Sequence, residues 1–218
     1  MPPVIASAPL WLAVTNCWVV AAERGGPAVI VDAPPDVDGL TRLVTELDVV
    51  PVAVLATHGH VDHVGGAGGA ATRYAVSAYL HPDDDWLAAD PRQQLRSIFG
   101  MEPPGDYEPP ERYEDLADEQ VLDLAGLSFR TLHTPGHTPG HCCFLLEDDG
   151  VLFSGDQLFA GSIGRTDLPG GSHEQLMASM ADKIVPLDGD TRVLPGHGPS
   201  TTIARELATN PFLQGLPR

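Results

Sequence analysis

Apolar residues occur along this chain in short runs, and run after run stops at a Gly or Pro turn beside a His or an Asp. Val29, Ile30 and Val31 form one such run, closed by Asp32 and then Pro34 and Pro35, which predicts a buried strand ending at a carboxylate. Leu40, Leu43, Val44 and Leu47 follow at helical spacing. Val52 to Ala56 is the next strand and delivers Thr57 and His58 at its C-terminal end. From His63 to Gly69 the residues are small and glycine-rich, so a helix can begin there without bulky side chains in the way. Val76 to Leu80 is a further strand, ahead of His81 and the acidic run Asp83, Asp84, Asp85. Between Asp90 and Glu114 the composition turns to Pro, Gly and charge, and this segment, which includes Tyr107 and Tyr113, is expected to be a long loop or lid.

The second half repeats the rhythm. Leu127 to Leu132 and Cys142 to Leu146 read as strands on either side of a Gly- and Pro-rich turn, with Asp148, Asp149 and Gly150 as a hairpin turn. Val151 to Phe153 leads to Gly155 and Asp156, and Arg192 to Leu194 leads to Gly196 and His197. Between them His173 to Met180 is expected to be a helix with Ser172 as its N-cap. Strands in both halves, helices between them and polar residues at strand ends suit two sheets packed face to face with helices outside. No repeat or linker divides the chain, so residues 1–218 are expected to form one domain.

Charge narrows the function classes. Thirty acidic residues against twelve basic ones give a formal charge of −18, which opposes sequence-independent binding to nucleic acid or to anionic lipid. No run approaches the roughly 18 consecutive apolar residues of a membrane span, and the start Met1, Pro2, Pro3 carries no secretory signal pattern. A cytoplasmic enzyme acting on a small molecule is the expectation, with no membrane or nucleic-acid partner; oligomeric state is left open. Cys17, Cys142 and Cys143 give no disulfide framework, because the count is odd and adjacent residues of a strand face opposite ways. They read as small buried side chains.

The chemistry concentrates in Thr57-His58-Gly59-His60-Val61-Asp62-His63, which places three imidazoles and a carboxylate within six residues. Imidazole nitrogen and carboxylate oxygen are the donors borderline divalent metals prefer, and Zn²⁺ binds them at about 2.0 to 2.2 Å. His58 and His60 alternate and can grip one ion from the same side; Asp62 and His63 follow a turn that directs them to a neighbouring ion. Neither pair completes a tetrahedral shell. Three distant segments have the form to supply the rest: His137 and His197 each follow a Pro-Gly turn after an apolar strand, and Asp156 follows Ser154-Gly155. An Asp between two metals can give one oxygen to each, across the roughly 3.5 to 4 Å of two-metal hydrolases, which makes Asp156 the candidate bridge.

These residues resemble the metallo-β-lactamase superfamily, whose hallmark is a His-x-His-x-Asp-His run followed by a distant His, a bridging Asp and a last His. The resemblance implies an αββα sandwich of two mixed sheets with helices on the outer faces and the metals at one edge. It also implies the ligand sets: His58, His60 and His137 on one ion, Asp62, His63 and His197 on the other, Asp156 on both. The ions implied are most often Zn, with Fe or Mn possible. Within the superfamily the chain looks most like glyoxalase II, the hydroxyacylglutathione hydrolases, on Thr134 to His141, Phe153 to Asp156 and Gly161 to Asp167. An Asp at position 156 argues against the β-lactamases proper, where a Cys usually stands. Longer glyoxalase II proteins carry a C-terminal helical region that helps hold glutathione, whereas this chain stops a short way past His197.

The expectation that follows is a thioester hydrolase in which a hydroxide between the two ions attacks the carbonyl, with Asp62 and Asp156 as the catalytic carboxylates. Rivals are a mononuclear-iron persulfide dioxygenase, a lactonase of the same superfamily, and a non-catalytic binding module. Arg165 and Asp167 either shape the substrate pocket or form a surface ion pair. Asp32 either accepts a hydrogen bond from a ligand His or only terminates its strand. His141 reads as a hydrogen-bonded structural His, His81 as an ordinary polar residue at a strand end, His133 as packed beside the site and His173 as lying in the first turn of a helix.

Overall fold

The computed structural model describes residues 2–216; Met1, Pro217 and Arg218 lie outside the described residues. Strands β1 (Val4–Leu10), β2 (Thr15–Ala21) and β3 (Pro27–Val31) run antiparallel, and β3 is followed by helix α1 (Val37–Leu47) and the parallel strand β4 (Val50–Leu55). Asp36 caps α1 by accepting from the Gly39 N–H at 2.8 Å. Short helices α2 (Val61–Val64) and α3 (Ala67–Tyr74) lead to β5 (Ser77–Leu80), then α4 (Asp85–Ala88), α5 (Pro91–Phe99) and β6 (Glu114–Asp115). The first sheet has the order β1-β2-β3-β4-β5-β6. In the second half come β7 (Val121–Leu124), β8 (Leu127–His133), β9 (Cys142–Leu146), β10 (Val151–Gly155), the ribbon β11 (Leu158–Phe159) and β12 (Ser162–Ile163), α6 (His173–Ser179), β13 (Arg192–Pro195), β14 (Thr201–Thr202) and α7 (Ile203–Thr209). The second sheet has the order β14-β13-β10-β9-β8-β7, and both sheets mix parallel and antiparallel pairs.

Period-two alternation sorts each strand between two cores. In β2, Trp18 and Val20 face the layer between the sheets, where Val29, Val31 and Leu55 meet Phe129, Phe144, Phe153 and Leu194 of the second sheet. Cys17, Val19 and Ala21 of the same strand face outward, under Leu40, Leu43, Val44 and Leu47 of α1. On the other side Cys143 and Leu145 face Leu176, Met180 and Ile203, while Cys142 and Phe144 point inward. The adjacent cysteines do lie on opposite faces, and all three are buried and free. The result is the αββα sandwich of two mixed sheets. Among the described residues no helix is long and apolar enough to cross a membrane.

The segment from Asp90 to Glu114 differs from the expected loop. Its first part is α5, capped by Asp90, which accepts from the Gln93 N–H at 2.8 Å, opened by Pro91 at the first turn and closed by Gly100 in a left-handed conformation. The Asp-Pro start and Gly stop are helix punctuation that the Pro, Gly and charge content masked. Tyr107 is buried, edge-on to Trp11, with its hydroxyl donating to the Pro103 carbonyl at 2.6 Å. The helix from His173, with Ser172 accepting from the Gln175 N–H, stands as the sequence suggests.

Candidate metal centre

Every residue of the suggested donor set sits just beyond the C-terminal end of a strand. The loop after β4 carries His58 and His60, and α2 carries Asp62 and His63. The turn after β8 carries His137, and Asp156 and His197 follow β10 and β13. Parallel pairing of β10 with β13 brings the last two side by side, and Gly196 makes that approach possible: a Cβ there would lie 2.5 Å from Asp156 Oδ1 and 2.6 Å from His63 Cε1.

Two groups of donor atoms result. His58 Nε2, His60 Nδ1 and His137 Nε2 converge, at 3.0 Å, 2.9 Å and 3.2 Å from one another. In the second group Asp62 Oδ2 lies 3.4 Å from His63 Nε2 and 3.2 Å from His197 Nε2. Asp156 stands between the groups, with Oδ1 3.4 Å from His63 Nε2 and Oδ2 3.5 Å from His137 Nε2 and 3.6 Å from His197 Nε2. A tetrahedral ion with bonds of about 2.0–2.1 Å spaces its ligand atoms about 3.4 Å apart. The separations around Asp62, His63, His197 and Asp156, 3.2 to 3.6 Å, match that spacing, and those of the first group, 2.9 to 3.2 Å, are somewhat closer. His63 Nε2 and Asp156 Oδ1 are buried without a hydrogen-bond partner, as donors reserved for a cation would be. The His/Asp cluster is therefore a site for divalent metal ions.

Electrostatics agrees with the donor chemistry. Burial, followed by neighbouring imidazoles, lowers His60 to about 3; burial lowers His137 to about 4; both are neutral donors at pH 7. His58, driven down by burial and then by His63 and His137, lies well below the usual imidazole range. Burial opposes charge on His63 as well, but the carboxylates of Asp62, Asp32 and Asp156 reverse it and hold the ring well above the usual range. Metal-free, the second group thus keeps protons that a cation would displace.

A surrounding layer fixes the donors. Asp32, at a φ of 61°, accepts from His63 Nδ1 at 2.8 Å and from the Thr57 N–H at 2.8 Å, so it does more than end its strand. His137 Nδ1 donates to the Arg165 carbonyl at 2.7 Å. His141 Nε2 accepts from the Asp156 N–H at 3.0 Å and its Nδ1 pairs with Thr134 Oγ1, so this ring holds the backbone of Asp156. Thr15 Oγ1 donates to Asp62 Oδ2 at 2.9 Å. Asn16 donates from its backbone to the Gly196 carbonyl and from Nδ2 to those of Pro195 and Gly198, which pins the loop carrying His197.

Asp84 is the fixing residue that sequence reading passed over as one of an acidic run. Fully buried, it accepts from the Gly59 N–H at 2.8 Å, the Gly140 N–H at 2.7 Å and Thr138 Oγ1 at 2.6 Å, joining the first donor loop to the turn of His137. Gln94 acts likewise from α5, accepting from the Val61 N–H and donating to the Gly59 and Leu87 carbonyls. Neither has a local sequence signature, since all their partners but Leu87 lie 25 to 56 residues away.

Of the remaining suggestions, Arg165 and Asp167 form an exposed two-bond pair at 2.7 Å each, and Arg165 lines the cavity over the donors together with Trp11 and Leu168. His81 and His133 stack with ring centroids 4.0 Å apart and planes 7° from parallel. Parallel rings send their in-plane lone pairs side by side rather than to one point, so the pair is unlike the main donor set.

Residues 10–197 match the family model described as Metallo-beta-lactamase superfamily. A hydroxyacylglutathione hydrolase, GloC, of Haemophilus influenzae is 39% identical over 198 residues, spanning 91% of this chain and 92% of its own. The solved BLEG-1 B3 metallo-beta-lactamase is 37% identical with a TM-score of 0.88, covering 97% of this chain and 100% of that one. TTHA1623, solved in a di-iron-bound form, is also 37% identical, with a TM-score of 0.85 over 95% of this chain and all of its own.

Proposed function

Because the chain belongs to the metallo-beta-lactamase superfamily, we propose that it is a metal-dependent hydrolase of 2-hydroxyacyl thioesters, with His58, His60 and His137 holding one divalent ion, Asp62, His63 and His197 the other, and Asp156 both. The observation that carries this reading is the convergence of all seven side chains at one cavity, five of them lining it with His58 and His63 buried behind, and Asp156 between the two groups. The similarity to a protein named as a hydroxyacylglutathione hydrolase supports the thioester as substrate.

Bound there, the ions would supply a water acidic enough to be deprotonated near neutral pH and a positive charge facing the carbonyl oxygen of the substrate. The chain's part is orientation and proton handling. His137, His63 and Asp156 are each locked by one hydrogen bond, to the Arg165 carbonyl, Asp32 and His141 respectively, so little motion is needed when the substrate arrives. Asp62 also faces the cavity, and the oxygen it does not give to an ion would take the proton of the attacking water, while Asp156 would hold both ions. A thiolate departs without protonation, so no further acid is required.

Arg165, at the cavity mouth, is proposed to contact the substrate, with Asp167 holding its guanidinium in place. Arg165→Ala at unchanged metal content should raise KM severalfold, while the His137 bond survives because it uses the backbone carbonyl. Unchanged steady-state constants would make the pair a surface feature only.

The deciding experiment measures metal per chain and hydrolysis of S-D-lactoylglutathione and of a second thiol's lactoyl ester, with oxygen uptake followed on glutathione persulfide. Metal-dependent cleavage without oxygen consumption is expected. Oxygen uptake by a one-iron protein lacking thioesterase activity would overturn the reading. The neighbour named as a beta-lactamase makes a chromogenic β-lactam the second substrate to assay on the same preparation.

A further inference from the structure

Beside His60 the donor cavity continues into a second one, of about 190 Å³, walled by Trp86 and Leu87 of α4, Ile98 of α5, and Leu168 and Pro169. His60 lines both, so a group entering the second cavity starts at the donor cluster. The walls are apolar, and two of them stand open: Trp86 is 54% exposed and Ile98 40%. Trp86 is nevertheless fixed, because its indole N–H donates to the Asp83 carbonyl at 2.9 Å. Gln93 and Ser97 of α5 also line the cavity, while the other two polar side chains at that helix are engaged. Gln94 is spent on Gly59, Val61 and Leu87, and Asp90 caps α5. Among the described residues lining the two cavities Arg165 is the single lysine or arginine, and it borders the donor cavity rather than the second one. In the second cavity a ligand arm with several carboxylates would find no lysine or arginine to pair with, whereas an apolar one would cover exposed Trp86 and Ile98.

We propose that this cavity is the specificity pocket of the enzyme and takes a neutral apolar arm of the thioester, branched-alkyl to benzyl in size, adjoining the scissile carbonyl. The size follows from volume, since an apolar cavity of about 150 Å³ is enough for benzene. The inference rests on the thioesterase reading and narrows it: lactoyl, with a single methyl, leaves the pocket unfilled.

The test uses the metal-loaded protein and two substrate series. In one, the 2-hydroxyacyl group grows from lactoyl through 2-hydroxyisocaproyl to mandeloyl on the neutral thiol N-acetylcysteamine. In the other, the lactoyl group stays and the thiol changes from N-acetylcysteamine to benzyl mercaptan and to glutathione. A rise in kcat/KM of about fourfold per buried methylene is expected in one series, and which series rises tells whether the acyl or the thiol arm fills the pocket. Trp86→Ala and Ile98→Ser should each flatten that rise, read as the ratio between apolar and lactoyl substrates, while Val121→Ala on the far-lying β7 keeps the ratio. Calorimetric binding of mandelate, lactate and benzyl mercaptan gives a readout independent of turnover. A tenfold preference for mandelate over lactate, or tight benzyl mercaptan binding, lost in Trp86→Ala, upholds the pocket even if no thioester is cleaved, in which case only the reaction assignment fails. Thioester cleavage with both series flat, or fastest with lactoylglutathione, sinks the pocket and leaves the reaction standing.

Discussion

Asp156 is the residue on which the proposed centre turns, because its carboxylate faces both donor groups and one of its oxygens has no hydrogen-bond partner. Asp156→Ala should lower metal occupancy and activity together, the latter by two orders of magnitude or more, as checked by elemental analysis beside kinetics; full occupancy at an unchanged rate would remove it from the site. Protons compete for the same atoms. An unfolded chain protonates its imidazoles near pH 6.5, whereas in the metal-free fold burial delays this to about 3 at His60 and about 4 at His137, and to well below the usual range at His58 and His141. Stability contributed by these four neutral rings is whole above about pH 6.5 and is lost as pH falls toward their folded values. His63 and His197, held up by carboxylates against the effect of burial, have the opposite sign: their contribution is present below about pH 6.5 and is lost as pH rises through the raised values. Between pH 6.5 and 4 only the four lowered rings change their contribution, so the Tm of the metal-free protein should drop steadily over that range in a thermal melt. A flat profile over that range would contradict it. The donor residues were legible in sequence because their residue types cluster and recur after Pro-Gly turns; Asp84, Gln94 and Thr15 were not, because their roles exist only once distant loops meet.

At the scale of elements, the strands that feed the site could be read and the pieces that brace it could not. β3, β4, β8, β9 and β10 announce themselves as apolar runs with turn residues at their ends. β1 was missed because its polar and small residues break the pattern, yet the β1–β2 hairpin delivers Thr15 and Asn16 to the donor loops. α5 was hidden by composition, and through Gln94 it bolts the pocket wall onto the backbone flanking His60. The strongest brace between elements is Asp84. Burial raises its pKa, and the bonds from Thr138, Gly59 and Gly140 offset this only in part. Asp84→Ala leaves two buried N–H groups without an acceptor, at about 1–3 kcal/mol each. The expected loss of about 3 kcal/mol or more in denaturant unfolding should come with weaker metal retention. A loss confined to stability would show that the brace does not reach the donors.

Over the whole molecule the formal charge of −18 acts at a distance that no single contact describes. Like-charged ligands are repelled on approach, and salt screens that repulsion beyond a Debye length of about 8 Å at physiological strength. For an anionic thioester such as lactoylglutathione, kcat/KM should therefore rise severalfold between low and moderate ionic strength, whereas a neutral N-acetylcysteamine ester should show almost no change. Parallel salt responses of the two would mean that the field at the mouth is not set by the net charge. The division of donors between the sheets has a consequence of another kind. His58, His60, Asp62 and His63 follow strands of the first sheet, while His137, Asp156 and His197 follow strands of the second, so each proposed ion is shared by both halves of the chain. A fragment ending near Glu119 and its complement would each hold an incomplete coordination shell. Ion binding and the docking of the fragments are then linked equilibria, each strengthening the other, and the severed chain should behave as a conditional assembly that zinc reconstitutes and a chelator takes apart.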